Sequence, residues 1–278
     1  MVTNMREMFS GAENFNQDIG GWSMFNIGNM GAMFLNALDF NQDIGGWNTT
    51  NVVNMYSMFR NAQAFNQDIG GWDTGSVTNM ESMFYDALTF NQDIGGWNVA
   101  DVTTMNNLFR NTLFFSQNLS NWDTGSVTNM SNMFNGAVAF DRNIGLWDTS
   151  SVTTMENMFF GAINFNRLIN IWDTSSVTNM RGMFYGASSF NQDLSDWTVS
   201  IVTTMDGMFG GATAFNQDIG AWHTFNVTNM QGMFDGAIAF DQSLGSWDVS
   251  NVSNMTNMLN GVTLSTENYD DTLTLWNT

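Results

Sequence analysis

One spacing governs this chain. Met recurs at positions 5, 30, 55 and onward to 255 with a step of 25 residues and no insertion or deletion. Trp keeps the same step from Trp22 to Trp247. Phe keeps it twice, from Phe9 to Phe234 and from Phe15 to Phe240, and Ile or Leu keeps it from Ile19 to Leu244. A register held over eleven units makes each unit one coil of a solenoid, because stacked, equivalent coils set like residues on like. Of the 23 Met, all but Met1 and Met24 fall in two columns, and this flexible side chain suits a narrow core that repeats without jamming.

Inside a coil the apolar spacing changes. In the fourth unit Met80, Met83, Phe84 and Ala87 sit at i, i+3, i+4 and i+7, the pattern of one helix face. Thr78 with Glu81 reads as a capping box. The column from Gly11 through Asn36 to Gly261 holds only Gly, Asn or Asp, which tolerate the left-handed conformation at a helix end. A helix of about two turns is therefore expected. Ile94, Trp97 and Val99 read as a short inward-facing strand, which stacking would pair into a parallel sheet rising about 4.8 Å per coil. The fold class is then an α/β solenoid, a leucine-rich-repeat-like right-handed coil about 50 Å long. An all-β solenoid is the alternative if the helical segments prove too short. Asn16, Asn41, Asn66 and Asn91 fill one turn column, where an Asn ladder would serve backbone groups from coil to coil.

Residues 1–261 form the repeat solenoid and residues 262–278 break the pattern. There Ser265 or Thr266 can cap a helix bearing Tyr269, Leu273 and Trp276, expected to cover the last coil. Met1 runs directly into a unit in full register, so the first coil is expected to lack a cap and either to fray or to self-associate through its open edge, and the chain reads as part of a longer one.

Composition excludes several functions. There is no Cys, no Lys and one His, His223, which removes thiol, Schiff-base and multi-His metal chemistry. A net charge of −20 is wrong for nucleic acid or an anionic membrane, which need a basic face. No apolar run spans a bilayer, so no membrane insertion is expected in this segment.

The remaining candidates lie on outward positions. Asp123, Asp148 and Asp173 are consecutive rungs of one column, about 5 Å apart by sheet geometry, near the separation in a retaining glycosidase pair. A solvated acidic ridge is the simpler reading. Asp18, Asp43, Asp68 and Asp93 form a second acidic column, and calcium would relieve their repulsion, although no Gly-rich calcium motif is present. No other cofactor is expected. Leu146 and Ile171 put apolar side chains where other coils carry small or polar ones, with Leu168 nearby, and Phe225 does the same beside His223. Asp123, Asp148, Asp173, His223, Phe225, Leu146 and Ile171 are therefore the candidate binding residues, and no catalytic residue is assigned.

The segment Val127-Thr128-Asn129-Met130-Ser131-Asn132-Met133-Phe134-Asn135-Gly136-Ala137, continuing to Trp147-Asp148-Thr149, resembles the repeat of BspA-like leucine-rich-repeat surface proteins. The ending Leu264-Ser265-Thr266-Glu267-Asn268-Tyr269-Asp270 resembles theirs too. The resemblance covers essentially the whole chain. It implies a secreted, bacterial cell-surface protein with a role in adhesion or protein binding, and it carries no catalytic residues. The leading expectation is a non-enzymatic extracellular recognition module that binds a surface or matrix protein, or a glycan, through its sheet face. A carbohydrate-active enzyme using Asp123, Asp148 or Asp173, and a structural spacer or filament subunit of a longer surface protein, are the alternatives.

Overall fold

The computed structural model describes residues 2–276, apart from the side chain of Leu275. The repeats are stacked coils made of tight turns, tied by a ladder of parallel bridges that runs Asn4↔Asn29, Asn29↔Asn54 and on to Asn229↔Asn254. Among the described residues the only helix is α1, Thr266–Trp276.

Neither regular element expected within the coil is found. The segment read as a two-turn helix alternates two kinds of hydrogen bond. Met5, Glu7, Phe9 and Gly11 donate their N–H groups to the carbonyls of Asn29, Gly31, Met33 and Leu35 in the next coil, at 2.7–3.0 Å. Between them, the Met8, Ser10 and Ala12 amides turn back to Met5, Glu7 and Phe9 at 3.1–3.2 Å. An α-helix keeps every φ negative and sends each amide four residues back. Here two residues per coil take positive φ, such as Glu7 (59°) and Gly11 (75°), and each is the third residue of a four-residue turn. Two consecutive turns folded onto the same core bring i, i+3, i+4 and i+7 inward just as a helix would, so the apolar spacing was right and the element was wrong. The second of these columns, Gly11 to Gly261, is left-handed throughout, as its composition required. Thr78 is no cap: its amide reaches back to Val53 of the preceding coil at 3.0 Å, and the Glu81 amide goes to Asn79 Oδ1 instead. The bridge column likewise runs through Asn79 rather than through Trp97 and Val99. The coil is thus nearer the all-β alternative, with bridges one residue long.

The core is where the columns put it. In the third coil Val52, Met55, Met58, Phe59, Ala62, Phe65, Ile69 and Trp72 are all buried, and a fully buried side chain of this size contributes about 1.5–3 kcal/mol. The two Phe columns lie face to face within a coil, Phe59 on Phe65 at 3.9 Å between centroids. Each column also stacks from coil to coil, as Trp72 does on Trp97 with parallel planes 6.4 Å apart at the centroids, an offset stack. Every Trp from Trp47 to Trp247 donates its indole N–H to an Ile or Leu carbonyl 28 residues back, as Trp97 does to Ile69 at 3.1 Å.

The Asn column forms its ladder. Asn41 Oδ1 accepts the Asn66 amide at 2.9 Å and the Gln67 side-chain amide at 3.0 Å, and Asn66 repeats both bonds with Asn91 and Gln92. Helix α1 continues this pattern by other means. Ser265 N and Asn268 Nδ2 both reach Asp241 Oδ1, Thr272 Oγ1 accepts the Leu244 amide, and the Trp276 indole donates to the Leu244 carbonyl at 3.0 Å. The helix thereby supplies bonds a further coil would have made. Its inward face is Asn268, Thr272 and Trp276. Tyr269 and Leu273, expected to cover the last coil, are instead exposed.

Candidate functional site

Three acidic rungs come first. Asp123, Asp148 and Asp173 lie in one exposed column, and each Oδ1 accepts the amide two residues ahead: Gly125 at 3.2 Å, Ser150 at 3.0 Å and Ser175 at 2.9 Å. Asp148 also accepts the Ser150 hydroxyl at 2.7 Å. These serine hydrogen bonds hold the carboxyls of Asp148 and Asp173 below the ordinary carboxylate value, while the Asp148 charge pushes Asp173 slightly back up. The column is therefore an ionised ridge whose carboxylates also brace turns. A general acid needs the opposite shift. Asp18, Asp43, Asp68 and Asp93 do the same work one turn earlier, each accepting a Gly amide at 2.9–3.0 Å. Among the described residues no three His, Asp or Glu side chains gather where they could hold a metal ion.

Leu146 and Ile171 share that ridge, each two residues before an aspartate of the column. Leu146, Leu168 and Ile171 are 74%, 61% and 64% exposed, so Leu168 does not fold back to bury its neighbour. Together with Asn143, Gly145 and Asn170 they line a shallow cavity of about 250 Å³. The result is an exposed apolar cluster on two adjacent coils, with Leu146 and Ile171 each two residues before Asp148 and Asp173 in the chain.

His223 and Phe225 meet in a different place. They line a cavity of about 410 Å³ with Ser200, Trp222, Thr224, Ser246 and Asp248. The Phe225 ring is exposed, and its carbonyl is gripped by the Asn251 side chain at 2.7 Å. Ser250 holds the Asp248 carboxyl below its usual value. The sequence pairing of His223 with Phe225 is thus met in space, and Asp248 joins them from the next coil.

A third cavity, about 310 Å³, lies on the turn face and was not anticipated. Its floor is Gly182, Gly207 and Gly232, and around it stand Arg181, Tyr185, Asp206, Gln231 and Asp235. The signal was present in the sequence as three successive Gly in a column that otherwise runs Glu7, Ala32, Ser57, Ser82, Asn107, Asn132, Asn157 and Asn257.

Comparison with known proteins adds a family. A family model described as "Mycoplasma protein of unknown function, DUF285" matches residues 1–97, 83–183 and 164–276. No curated protein matches the chain. Among solved structures it is similar to a chain of the crystal structure of a TLR13–ssRNA13 complex, at 10% identity and a TM-score of 0.26 over 88% of this chain, and it spans 43% of that chain's length. So loose a likeness carries no argument about fold or ligand.

Proposed function

The chain belongs to the DUF285 family, and on that premise we propose that it is a non-catalytic recognition module of the BspA-like kind, exported to a cell surface, whose ridged face binds protein or glycan. The observation that carries this reading is the exposed Leu146–Leu168–Ile171 cluster on two adjacent coils. Exposed apolar groups on adjacent, rigidly stacked coils cost solvation and do not build the core, which is the usual mark of a contact surface. The bracing of the aspartates favours recognition over hydrolysis, because a charge fixed by its own turn is preorganised to meet a partner and is unsuited to giving up a proton.

The test is a binding screen of the whole chain against immobilised matrix proteins and glycans, with a Leu146→Ser/Ile171→Ser double variant alongside. A ligand whose affinity drops at least about tenfold in the double variant, the effect of losing one good apolar anchor, is expected. Polysaccharide turnover that Asp148→Asn abolishes would instead establish the enzyme and end the recognition reading.

A further inference from the structure

The turn-face cavity gathers Arg181, Tyr185, Asp206, Gln231 and Asp235 around a glycine floor. Resting on the recognition reading, we propose that it binds a neutral saccharide unit, with Tyr185 as its ring wall and Arg181, Gln231 and Asp235 as its hydrogen-bonding groups.

Four of the polar side chains there, Arg181, Asp206, Gln231 and Asp235, are each held by a neighbouring residue. Arg181 Nε lies 3.0 Å from Asp206 Oδ2, and Asp206 Oδ1 accepts the Thr204 hydroxyl at 2.6 Å. Gln231 Oε1 accepts the Asn254 side-chain amide at 2.9 Å, and Asp235 Oδ1 accepts that of Asn260 at 2.7 Å. Among the described residues, the Arg181 terminal nitrogens, Gln231 Nε2 and Asp235 Oδ2 have no hydrogen-bond partner. Their side chains are therefore oriented before any ligand arrives, so little conformational entropy is lost on binding. Donors and an acceptor are interspersed, which matches hydroxyl groups, since each hydroxyl both donates and accepts.

The aromatic wall is equally fixed. Tyr185 stacks on Phe160 at 4.8 Å, and its ring lies so close over Gly210 that a Cβ there would fall 2.6 Å from it. Phe160 and Gly210 lie against the two faces of the Tyr185 ring, which therefore closes one side of the cavity edge-on, as a fixed wall and not as a stacking platform for a sugar ring.

Other ligand classes fit less well. The single Arg is already neutralised by Asp206, which disfavours phosphate, nucleic acid and acidic sugars. The same ion pair leaves too few free carboxylates for a divalent cation. The volume, about 310 Å³, is at the small end of ligand pockets and suits a mono- or disaccharide rather than a peptide anchor.

Glycan-array binding with glucose-, galactose-, mannose- and N-acetylhexosamine-terminated probes, followed by calorimetry on any hit, tests this. Gly232→Asn is the blocking variant. The column takes Asn at positive φ in Asn107, Asn132 and Asn157, and the nearest atom to a Cβ at Gly232 is 3.7 Å away, so the fold is kept while the floor is filled. A neutral saccharide should bind the parent chain, lose about tenfold in affinity with Tyr185→Ala, and fail to bind Gly232→Asn. If no neutral saccharide binds, or if Gly232→Asn binds it as well as the parent, the saccharide site is wrong. A protein ligand lost in the Leu146/Ile171 variant alone would then show that recognition stands without it.

Discussion

At the scale of single residues, the coil relies on side-chain oxygens to finish what the backbone begins. Asn66 Oδ1 serves both the Asn91 amide and the Gln92 side chain. Replacing it with Ala strands a half-buried amide, so Asn66→Ala should destabilise by about 1–3 kcal/mol in urea unfolding. Asn66→Asp keeps the acceptor and should cost far less, as Asp141 shows by holding the Asn166 amide at 3.1 Å. Ser57 is the converse case. It sits at φ 51° with a buried hydroxyl that has no partner, in a column where Gly182 and Gly207 show the backbone is compatible with glycine. Ser57→Gly should stabilise by about 1 kcal/mol, a gain readable as a raised unfolding midpoint. The braced aspartates set the response to acid. Asp148, Asp173 and Asp193 all titrate below 3.8 in the folded chain, each held down mainly by hydrogen bonds from a serine two residues ahead. Their contribution is complete above that value and is lost as pH falls through the lowered folded value. The thermal midpoint should therefore hold to roughly pH 4 and drop below it. Ser150→Ala should move the Asp148 titration, followed by carbon NMR, upward toward 3.8, because the serine hydroxyl is the largest cause of its depression.

At the scale of elements, the turns and α1 divide the chain. Far-UV circular dichroism should show helix equivalent to only 11 residues, and ending the chain before Thr266 should remove it. A helical fraction several times larger would contradict a coil built from turns. Trp276 binds the Leu244 carbonyl and packs on the core. Trp276→Ala should therefore lower hydrogen-exchange protection in the last coil while leaving the middle coils unchanged, since coils feel only their neighbours. The inward columns were fully legible in the sequence, because burial follows period and composition alone. The turn segment was not, because Met80, Met83, Phe84 and Ala87 present the same spacing whether a helix or two turns carries them inward. The deciding information was the left-handed column that begins at Glu7. Asn107, Asn132, Asn157, Gly182, Gly207 and Gly232 announce it, but Glu7, Ala32, Ser57 and Ser82 obscure it. On the ridge, the exposure of Leu146 and Ile171 was legible in the sequence because an apolar departure from a small or polar column is visible in one dimension. The sequence missed Leu273 and Tyr269 as exposed residues because the face that α1 presents is set by Asp241 and Leu244, a coil away.

At the scale of the whole molecule, stability is a sum over stacked neighbours. Removing residues 79–103, one full period, leaves every column in register and should give a folded, slightly less stable chain. Removing residues 79–102 shifts each later side chain off its column and should abolish cooperative unfolding. A net charge of −20 spread along the stack repels itself, so added salt should raise the midpoint. The alternating amides of each coil have a mechanical corollary. Bonds such as Met5 to Asn29 and Phe9 to Met33 run along the stack, whereas Met8 to Met5 lies within one coil. Tension applied end to end therefore loads the first set and spares the second, and the stack should yield by peeling one coil at a time. Each release would free roughly 85 Å of slack, 25 residues at about 3.4 Å each. A single chain stretched between two beads should give an evenly spaced sawtooth rather than one abrupt rupture. A tether with that response lengthens under a sudden pull, dissipates it in small steps, and rewinds when the load is removed.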